Sequence, residues 1–378
     1  MPTIEDFPNV CKNGPMNTEF FMKNNFSLLW AACLFGAGTT LAQSVVELPV
    51  SLADAGTTVQ NVLTQDPRAG QNNVALGGTE GPAVDSAGNL FFSEYGRSLI
   101  WRVPPVGTAT VFTTVSSQTL GMDFDPQGRL VMPQNGIVLR FNTNGTRDTL
   151  IRNGSGLTLG GLNDLSITSA GHIMITNHSN NRLFLLNPNG TLLDSVTIAG
   201  TPNGIEYVEE TQTVYVTQSG SNSVTRFNWS PTSGPTFRTA ALARTNFIPS
   251  VPFPDGITMD SLRNLYVVSN STGTVVVYSP AGDSIGRITV RGRAMSNATN
   301  CVFGGPGNRT LYITGNGGVY SVQLKVAGRR RPLGTTAIHA WRILPMERGK
   351  VQAETFDLMG RSFPRWKGYG LGKIRIIQ

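Results

Sequence analysis

The chain has 378 residues, of which 14% are charged and 43 are Gly, a composition typical of one large β-rich domain with many turns. Its formal net charge of +7 arises from residues 329–378, where eleven Lys and Arg stand against three Asp and Glu. The rest of the chain is nearly neutral. This excludes the basic body that a nucleic-acid-binding protein needs, so no nucleic-acid partner is expected.

The N-terminal region predicts export. Residues 1–21 show no pattern and are interpreted as a non-native extension. Residues 22–42 combine a basic start, a short apolar run and small residues before a cleavage point after Ala42, which are the parts of a signal peptide. Lipoprotein processing at Cys33 is a less favoured alternative, because it would leave a very short apolar region. The run is too short for a bilayer, so no transmembrane segment is expected.

One short pattern recurs six times within residues 43–328. Each copy has a polar residue, often followed by Gly, then an alternating strand, a turn and a second β-rich strand. The copies begin at Glu80, Leu120, Asn163, Asn203, Asp255 and Asn300. Their spacing of 40 to 52 residues indicates a repeat fold, and two adjacent strands per repeat favour a propeller. We therefore predict an all-β, six-bladed β-propeller, with residues 43–75 supplying an outer strand that closes the ring.

The repeat places candidate site residues at one mouth of the central channel. The leading residue of each copy begins the innermost strand, so the six leading residues should converge. The second strand returns to the same face, and His178 follows one such strand. The polar residues that these strands should deliver there are Glu94, Asn177, Gln218, Asn270 and Asn316. Two rings of polar side chains are thus expected around one opening.

Four leading residues offer oxygen ligands: Glu80, Asn163, Asn203 and Asp255. Two carboxylates and two amides suit Ca²⁺, which takes six to eight oxygens and tolerates irregular geometry. Mg²⁺ is a further possibility, whereas zinc is disfavoured because no His or Cys cluster accompanies the ring. Asn and Asp at strand starts are often turn or cap residues. Four of them at equivalent positions of a repeat favour a divalent-cation site instead.

The same residues carry a resemblance to the SMP-30/gluconolactonase/luciferin-regenerating family. The motifs that match are Glu80-Gly81-Pro82, Leu162-Asn163-Asp164-Leu165, Pro202-Asn203-Gly204, Pro254-Asp255-Gly256-Ile257 and Cys301-Val302-Phe303-Gly304-Gly305-Pro306. The resemblance implies a six-bladed propeller with a central divalent metal held by Glu80, Asn163, Asn203 and Asp255. Members of the family include calcium- or zinc-dependent lactonases.

Two positions depart from the family pattern. Many relatives place Arg two residues before the ring Asn to contact sugar oxygens, and Gly161 stands there in this chain. Many also have Thr-Asp after the second strand of that blade, where this chain has Thr176-Asn177. The resemblance therefore implies a retained metal site beside an altered sugar-lactone pocket.

These features predict a metal-dependent hydrolase of lactones or related esters, with a small-molecule substrate. Asp255 is the candidate general base, and the candidate substrate contacts are Asn163, Asn300, Asn177, His178 and Glu94. The alternative is a non-catalytic ligand-binding or scaffold propeller, since propellers host many functions. A strictosidine-synthase-like propeller, which works through a Glu without metal, is disfavoured by the Asn and Asp of the ring.

The tail, residues 329–378, is predicted to be a linker followed by a small β module. It resembles C-terminal sorting domains of the type IX secretion system, through residues 356–361 and 372–376. The resemblance implies that secretion machinery recognises the tail. A secreted or cell-surface location in a Gram-negative bacterium is therefore expected.

Overall fold

The computed structural model describes residues 44–329, apart from 73, 155, 233, 235, 291–296 and 316, together with two short strands beyond them. The predicted extension and signal peptide lie outside the described residues, as does most of the tail. The two short strands of the tail, Trp341–Ile343 and Ala353–Thr355, pair antiparallel. Among the described residues, none of the helices has the length and apolar character needed to traverse a lipid bilayer.

The six predicted blades are present as antiparallel sheets, five of them with four strands and blade five with a fifth strand at its outer edge. Strands β1 (Val45–Glu47) and β2 (Gln60–Leu63) precede the first repeat. From the inner to the outer strand, blades one to three are β3 (Thr79–Val84), β4 (Leu90–Glu94), β5 (Leu99–Val103), β6 (Thr110–Thr114); β7 (Asp123–Phe124), β8 (Leu130–Gln134), β9 (Ile137–Phe141), β10 (Arg147–Arg152); and β11 (Leu162–Ile167), β12 (Ile173–Asn177), β13 (Arg182–Leu186), β14 (Leu192–Thr197).

Blades four to six continue the series around the channel. In the same order they are β15 (Pro202–Val208), β16 (Thr213–Gln218), β17 (Ser223–Asn228), β18 (Thr245–Ile248); β19 (Pro254–Met259), β20 (Leu265–Ser269), β21 (Thr274–Tyr278), β22 (Ser284–Thr289); and β23 (Ala298–Gly304), β24 (Thr310–Gly315), β25 (Gly318–Gln323), β2. Short 3₁₀ turns lie at Pro67–Asn72, Tyr95–Arg97, Asn270–Thr272 and Pro306–Asn308.

The ring closes through the N-terminal segment, as predicted. Strand β2 pairs with β25, with Gln60 opposite Ser321 and Leu63 opposite Val319, and so becomes the outer strand of blade six. Strand β1 extends blade five instead, because Val45–Glu47 pairs antiparallel with β22. This fifth strand of blade five was not predicted.

Burial explains why the strands form blades. Strands near the channel such as β11 and β12 are buried along their whole length, whereas outer strands such as β10 consist of exposed and partly buried residues. The apolar core consists of clusters between neighbouring blades, such as Leu183, Val196, Ile205 and Val214 between blades three and four. Each blade buries both faces of its inner strands, so near-continuous Val, Ile and Leu runs are required there.

Hairpin turns between the first two strands lie at the far end of the channel from the mouth. Asp85 Oδ1 accepts the amide N–H groups of Ala87 and Asn89, at 2.9 and 2.8 Å. Asp260 Oδ1 accepts those of Leu262 and Asn264 at 2.9 Å in blade five. These Asp side chains bond the backbone N–H groups of a tight turn, at the place where each repeat predicted a turn between its two strands.

The segment between β17 and β18 contains helix α1 (Phe237–Leu242). Thr236 caps its N-terminus, where the Oγ1 accepts the Thr239 N–H at 3.2 Å. Trp229 and Phe237 are buried together, with ring centroids 5.7 Å apart. The helix therefore covers the outer side of blades three and four, away from the channel.

Every inner strand carries one extra residue near the mouth. In blade one Glu80 opposes Ser93 and Ala83 opposes Phe91, so three steps on β3 match two on β4. Blades three, four, five and six repeat this bulge. In blade two it lies between Thr119, which forms an isolated bridge with Gln134, and Asp123. A bulge adds a local twist and re-aims the side chains beside it.

The strand registers correct one assignment made from the sequence. The ring residue follows the position that pairs with the end of the second strand, as Asn163 follows Leu162. In blade six Ala298 pairs with Gly315, so Thr299 holds this position. Asn300 lies one residue further on, where blade three has Asp164. The sequence pattern missed this because the bulge hides a one-residue offset.

The predicted linker begins inside the propeller. The Arg329 side chain is only 8% exposed, and its Nη2 lies 2.7 Å from Glu206 Oε1 and 2.7 Å from the Tyr207 carbonyl oxygen. Its amide donates to the Met259 carbonyl at 2.9 Å. Arg329 is therefore held by contacts with blades four and five, while the domain boundary predicted at 328/329 stays a prediction.

Candidate metal and substrate site

The four predicted ring residues come together at the mouth of the channel. Glu80, Asn163, Asn203 and Asp255 are each the second residue of the inner strand of a different blade, beside the bulge, and all four are buried. Leu120 holds the equivalent position in blade two and Thr299 in blade six. The candidate site is therefore built from four oxygen-bearing side chains that hold equivalent positions in four blades.

Hydrogen bonds fix the orientation of three of these side chains. Asn270 Nδ2 donates to Asp255 Oδ2 at 2.8 Å, and Asn203 Nδ2 donates to Ser219 Oγ at 3.0 Å. Glu80 Oε2 accepts the N–H of Gly81. Because the Asn203 nitrogen is turned towards Ser219, its oxygen is turned away from that partner.

Two buried amide oxygens of the ring lack a hydrogen-bond donor within the part of the chain that the structure describes. They are Asn163 Oδ1 and Asn203 Oδ1. Leaving such an acceptor unsatisfied costs about 1–3 kcal/mol, so native proteins rarely retain one without a purpose. Carbonyl-type oxygens facing an enclosed space beside carboxylates are the donors that a hard divalent cation takes. The residues present thus fit a calcium-type ion.

The electrostatics of the ring favour a cation as well. Burial raises the pKa of Glu80 well above its usual range, and the charges of Asp255 and Asp164 add to the rise. Burial likewise raises the pKa of Asp255 to about 7, against the opposing effect of the Asn270 hydrogen bond. Both shifts reflect negative charge crowded in a desolvated site, and a bound cation would reverse their direction.

Asp164 is a third carboxylate that the sequence reasoning quoted only as part of a motif. It is buried one residue past Asn163, and Asn300 Nδ2 lies 3.4 Å from its Oδ2. Asn300 Oδ1 accepts the Cys301 N–H at 2.8 Å, which turns the amide nitrogen towards the channel. The Asn300 side chain also hydrogen-bonds to Glu80. Asn300 therefore links two carboxylates, one of them on the opposite blade.

Glycines leave room for this link. Gly81, Gly121, Gly204 and Gly256 hold the equivalent positions in the other four blades, beside the bulge. A β-carbon on Gly121 would overlap Asp164, and one on Gly256 would overlap Asn300. Only glycine fits there, and Asp164 and Asn300 fill the narrow centre between the glycines. We call this level of the channel the throat.

A second repeated feature surrounds the mouth. The residue two positions before the ring residue accepts a hydrogen bond from the N–H that follows the second strand of the same blade. These rim residues and their donors are Gly78 with Tyr95, Gly161 with His178, Thr201 with Ser219, and Phe253 with Asn270, at 3.0 to 3.1 Å. Gly161, Thr201 and Phe253 have positive φ angles of 80°, 59° and 45°.

The rim explains why residue 161 is glycine. Its φ lies in the left-handed region, and a β-carbon would overlap the Ser179 side chain. A larger residue at 161 would need both backbone strain and movement of Ser179. The departure from the family pattern noted at this position is thus built into the local backbone.

Comparison with known proteins identifies the family. The family model described as SMP-30/Gluconolactonase/LRE-like region matches residues 78–316, which contain all six inner strands and the ring. The chain belongs to this family. This confirms the resemblance predicted from the ring motifs, while the resemblance of the tail stays a prediction.

One relative and two solved structures place this SMP-30/gluconolactonase-like chain further. It is 31% identical over 163 residues to the pentonolactonase XacC of Haloferax volcanii, covering 41% of this chain and 53% of that protein. The match thus spans about half of the relative's length. A gluconolactonase from Xanthomonas campestris superposes with a TM-score of 0.62 at 24% identity, over 74% of this chain and 94% of that one. Regucalcin from Agrobacterium tumefaciens, a calcium-binding protein, superposes with a TM-score of 0.56 at 20% identity, over 68% and 92%. The two superpositions show the fold alone.

The remaining predicted contacts of this SMP-30/gluconolactonase-like propeller lie around the mouth. Glu94 is fully buried and accepts from Gly77 N, Arg97 and Trp101 Nε1 at 2.7 to 2.9 Å, so its carboxylate is engaged within the protein. Asn177 Oδ1 accepts the Asn180 N–H, whereas its buried Nδ2 has no partner among the described residues. His178 is half-buried, and burial lowers its pKa. Substrate binding by these three residues stays a prediction.

Within the described part of the chain, no three His, Cys, Asp or Glu side chains gather as a metal-binding group. An ion held at the ring would therefore need the amide oxygens of Asn163 and Asn203 as ligands in addition to carboxylates. That requirement is consistent with an oxygen-preferring cation and inconsistent with a zinc site made of His and Cys.

Proposed function

We propose that this protein is a metal-dependent hydrolase of lactones or related esters, with a calcium-type ion at the ring. The observation that carries the proposal is the pair of donorless buried oxygens, Asn163 Oδ1 and Asn203 Oδ1, beside two buried carboxylates. Membership of the family and the likeness to a pentonolactonase support lactone chemistry. Glu80, Asn163, Asn203 and Asp255 would hold the ion.

A bound divalent cation would supply Lewis-acid polarisation of the substrate carbonyl. The chain's own residues provide the rest of the chemistry. Asp255 accepts the proton of a water molecule as that water adds to the carbonyl carbon of the substrate. The proton then passes to the lactone oxygen that leaves when the C–O bond of the substrate breaks. The product is a hydroxy acid. Asn270 holds Asp255 Oδ2 in place through its 2.8 Å hydrogen bond, which keeps the base aligned.

The position of the ring within the channel assists this reaction. Side chains of the ring are buried, yet the inner strands begin at the mouth, so a small substrate can approach from that side. Asn300 and Asp164 close the throat beneath. Bulk water is thereby limited to the mouth, which strengthens electrostatic interactions inside.

Metal content and hydrolysis test the proposal together. We expect the purified protein to contain close to one tightly bound Ca²⁺ per chain and to open simple lactones. Removal of the ion with a chelator should abolish turnover, and added Ca²⁺ should restore it. Metal binding without turnover on a panel of lactones and esters would favour a ligand-binding propeller instead.

Replacement of Asp255 by Asn separates the ligand role from the base role. Asp255→Asn keeps one oxygen but loses basicity and one negative charge, so metal affinity should fall and kcat should drop by about 10²–10⁴-fold. Isothermal titration with Ca²⁺ and steady-state kinetics measure the two effects. Asp85→Asn makes the same change in a far-end hairpin and serves as the control. Wild-type turnover by a metal-loaded Asp255→Asn protein would refute the mechanism.

We further propose export, with residues 22–42 as the signal and the segment after Arg329 as a sorting tail. The sequence features of both segments support this. Fractionation of cells that express the full chain, or a chain ending at residue 332, tests it. Surface delivery that is independent of the tail would remove the sorting role.

A further inference from the structure

Phe253 is an aromatic rim residue in an unfavourable backbone conformation. Its φ is 45°, in the left-handed region that bulky side chains avoid, and its side chain is 44% exposed. The residue lies just before β19, two positions ahead of Asp255. Phe253 belongs to none of the apolar clusters that the described residues form, so packing within the propeller core does not account for the strained residue.

The Phe253 backbone is held on both sides. Its N–H donates to Asn222 Oδ1 at 2.8 Å, and its carbonyl accepts the Asn270 N–H at 3.0 Å. The preceding carbonyl, that of Pro252, accepts from Ser269 Oγ at 2.6 Å. The position of Phe253 at the mouth is therefore fixed by the backbone and does not depend on packing of its ring.

Asn270 joins this rim residue directly to the ring. Its backbone N–H bonds to Phe253, and its side chain donates to Asp255 Oδ2 at 2.8 Å. One residue thus sets the relative position of the exposed aromatic side chain and the candidate base. A substrate that reaches Asp255 from the mouth passes next to residue 253.

Other blades show that the backbone does not require Phe. Gly161 and Thr201 hold equivalent positions with positive φ and equivalent carbonyl hydrogen bonds. The Thr201 N–H also donates to an Asn side chain, Asn181 Oδ1, at 2.8 Å, as the Phe253 N–H does to Asn222. Glycine at 253 would adopt this conformation without strain. What Phe253 adds is apolar surface at the mouth.

Two further aromatic side chains, Tyr95 and His178, lie beside the opening on blades one and three. Tyr95 follows β4 in blade one and His178 follows β12 in blade three, at matching positions. The Tyr95 hydroxyl lies over Gly78, the rim residue of its own blade. The mouth therefore combines a polar, charged floor with aromatic groups at its edge.

We propose that Phe253 is a specificity-determining residue that selects lactones carrying an apolar alkyl or aryl substituent over polyhydroxylated ones. The inference rests on the proposed lactone hydrolysis. The ester group lies at the ring near Asp255, and the substituent packs on the Phe253 side chain at the rim. Polyhydroxylated substituents gain nothing from this contact, because a phenyl ring offers them no hydrogen-bond partner.

The test compares three substrates on the Ca²⁺-loaded full chain: γ-butyrolactone, a γ-hexyl-substituted butyrolactone and gluconolactone. We expect wild-type kcat/KM to be highest for the hexyl lactone. In Phe253→Gly and Phe253→Asn, the preference for the hexyl lactone over γ-butyrolactone should fall about tenfold. Both replacements suit positive φ, so their melting temperatures should equal or exceed that of the wild type.

Two control variants separate the aromatic contact from other effects. Thr201→Gly relaxes the same backbone conformation in the next blade, and Leu262→Ala removes an exposed apolar side chain from a far-end turn. Both should keep the wild-type preference. An unchanged preference in Phe253→Gly, or a wild-type preference for gluconolactone, would overturn the assignment.

If none of the lactones is hydrolysed, the proposed function fails, and the role of Phe253 is then decided by binding. Calorimetric titration with 2-hexylcyclopentanone and cyclopentanone, which are non-hydrolysable ketones of similar shape, gives the ratio of the two binding affinities without turnover. A hexyl preference that is lost in Phe253→Gly supports the apolar contact. A ratio that does not depend on residue 253 overturns it.

Discussion

Asp164 shows how a single side chain can shape the charge of the site without being one of the proposed ligands. It lies one residue past Asn163, and its charge raises the pKa values of both Glu80 and Asp255. Three carboxylates in a desolvated space repel one another, and a cation at the ring would convert that repulsion into attraction. We infer that Asp164 increases affinity for the ion.

Asp164→Asn should therefore weaken Ca²⁺ binding by about 10–100-fold while all four proposed ligands remain. The cause is loss of one nearby negative charge, so the apo protein should melt at the same or a higher temperature. Calorimetric Ca²⁺ titration and thermal melting without Ca²⁺ measure the two quantities. Asp283→Asn removes a charge from an exposed outer turn and should leave the affinity unchanged. Equal affinities of Asp164→Asn and wild type would contradict this role.

Individual residues mark the limit of what the sequence could predict. The repeat pattern found Glu80, Asn163, Asn203 and Asp255 because each begins a recognisable run. It misplaced blade six by one residue, since Asn300 fits the polar pattern better than Thr299, and only strand pairing reveals the bulge. The positive φ of Phe253 was likewise invisible, because nothing in a Pro-Phe-Pro segment indicates a left-handed conformation.

Among the elements, the two N-terminal strands contribute unequally. Strand β2 completes blade six, and the segment before it buries Leu52 and Ala53 against that blade and blade five. Lys325 N–H donates to the Leu52 carbonyl at 2.8 Å. By contrast, β1 is a three-residue edge strand with alternating exposure. The sequence predicted that residues 43–75 close the ring against the last blade, but it gave no sign of the second short strand, β1, which joins blade five.

Two truncations should separate these contributions. A chain beginning at residue 49 loses only β1 and should melt within a few degrees of one beginning at residue 44. A chain beginning at residue 64 also loses β2 and Leu52, which opens the ring and exposes apolar surface of blade six. It should melt far lower or fail to fold, because truncating one buried Leu alone costs about 2–5 kcal/mol. Differential scanning calorimetry measures the melting temperatures of the three chains. Equal stability of all three would exclude closure by β2.

At the scale of the whole propeller, the segment that leaves blade six bonds to residues of blades five and four. Asp260 and Gly328 form a bridge, Ser261 N–H donates to the Ala327 carbonyl at 2.8 Å, and Arg329 reaches Glu206. The Glu206 side chain is 2% exposed, so this ion pair is buried. Removing one partner of a buried pair leaves a charge in a desolvated place and is typically destabilising by about 3–5 kcal/mol.

Arg329→Gln should accordingly lower the melting temperature by several degrees, whereas a chain ending at residue 332 should melt like the full mature chain. Glu206→Gln combined with Arg329→Gln should recover part of the loss, since no unmatched buried charge remains. A double-mutant cycle of the free energies of unfolding measures the coupling between Arg329 and Glu206. Additive effects of the two substitutions would show that the pair does not act as a unit.

Because of the throat, the two ends of the channel differ as routes for small molecules and ions. Asp164 and Asn300 meet across the axis, and Arg329 lies towards the far end, so we expect a substrate, its product and ions to enter and leave through the mouth. Hairpins such as Asp85–Asn89 and Asp260–Asn264 lie at the opposite end. A tether, fluorophore or solid support attached through those hairpins would leave the entrance open. Immobilised propellers should thus retain their activity when anchored by the far-end turns and lose it when anchored beside Phe253.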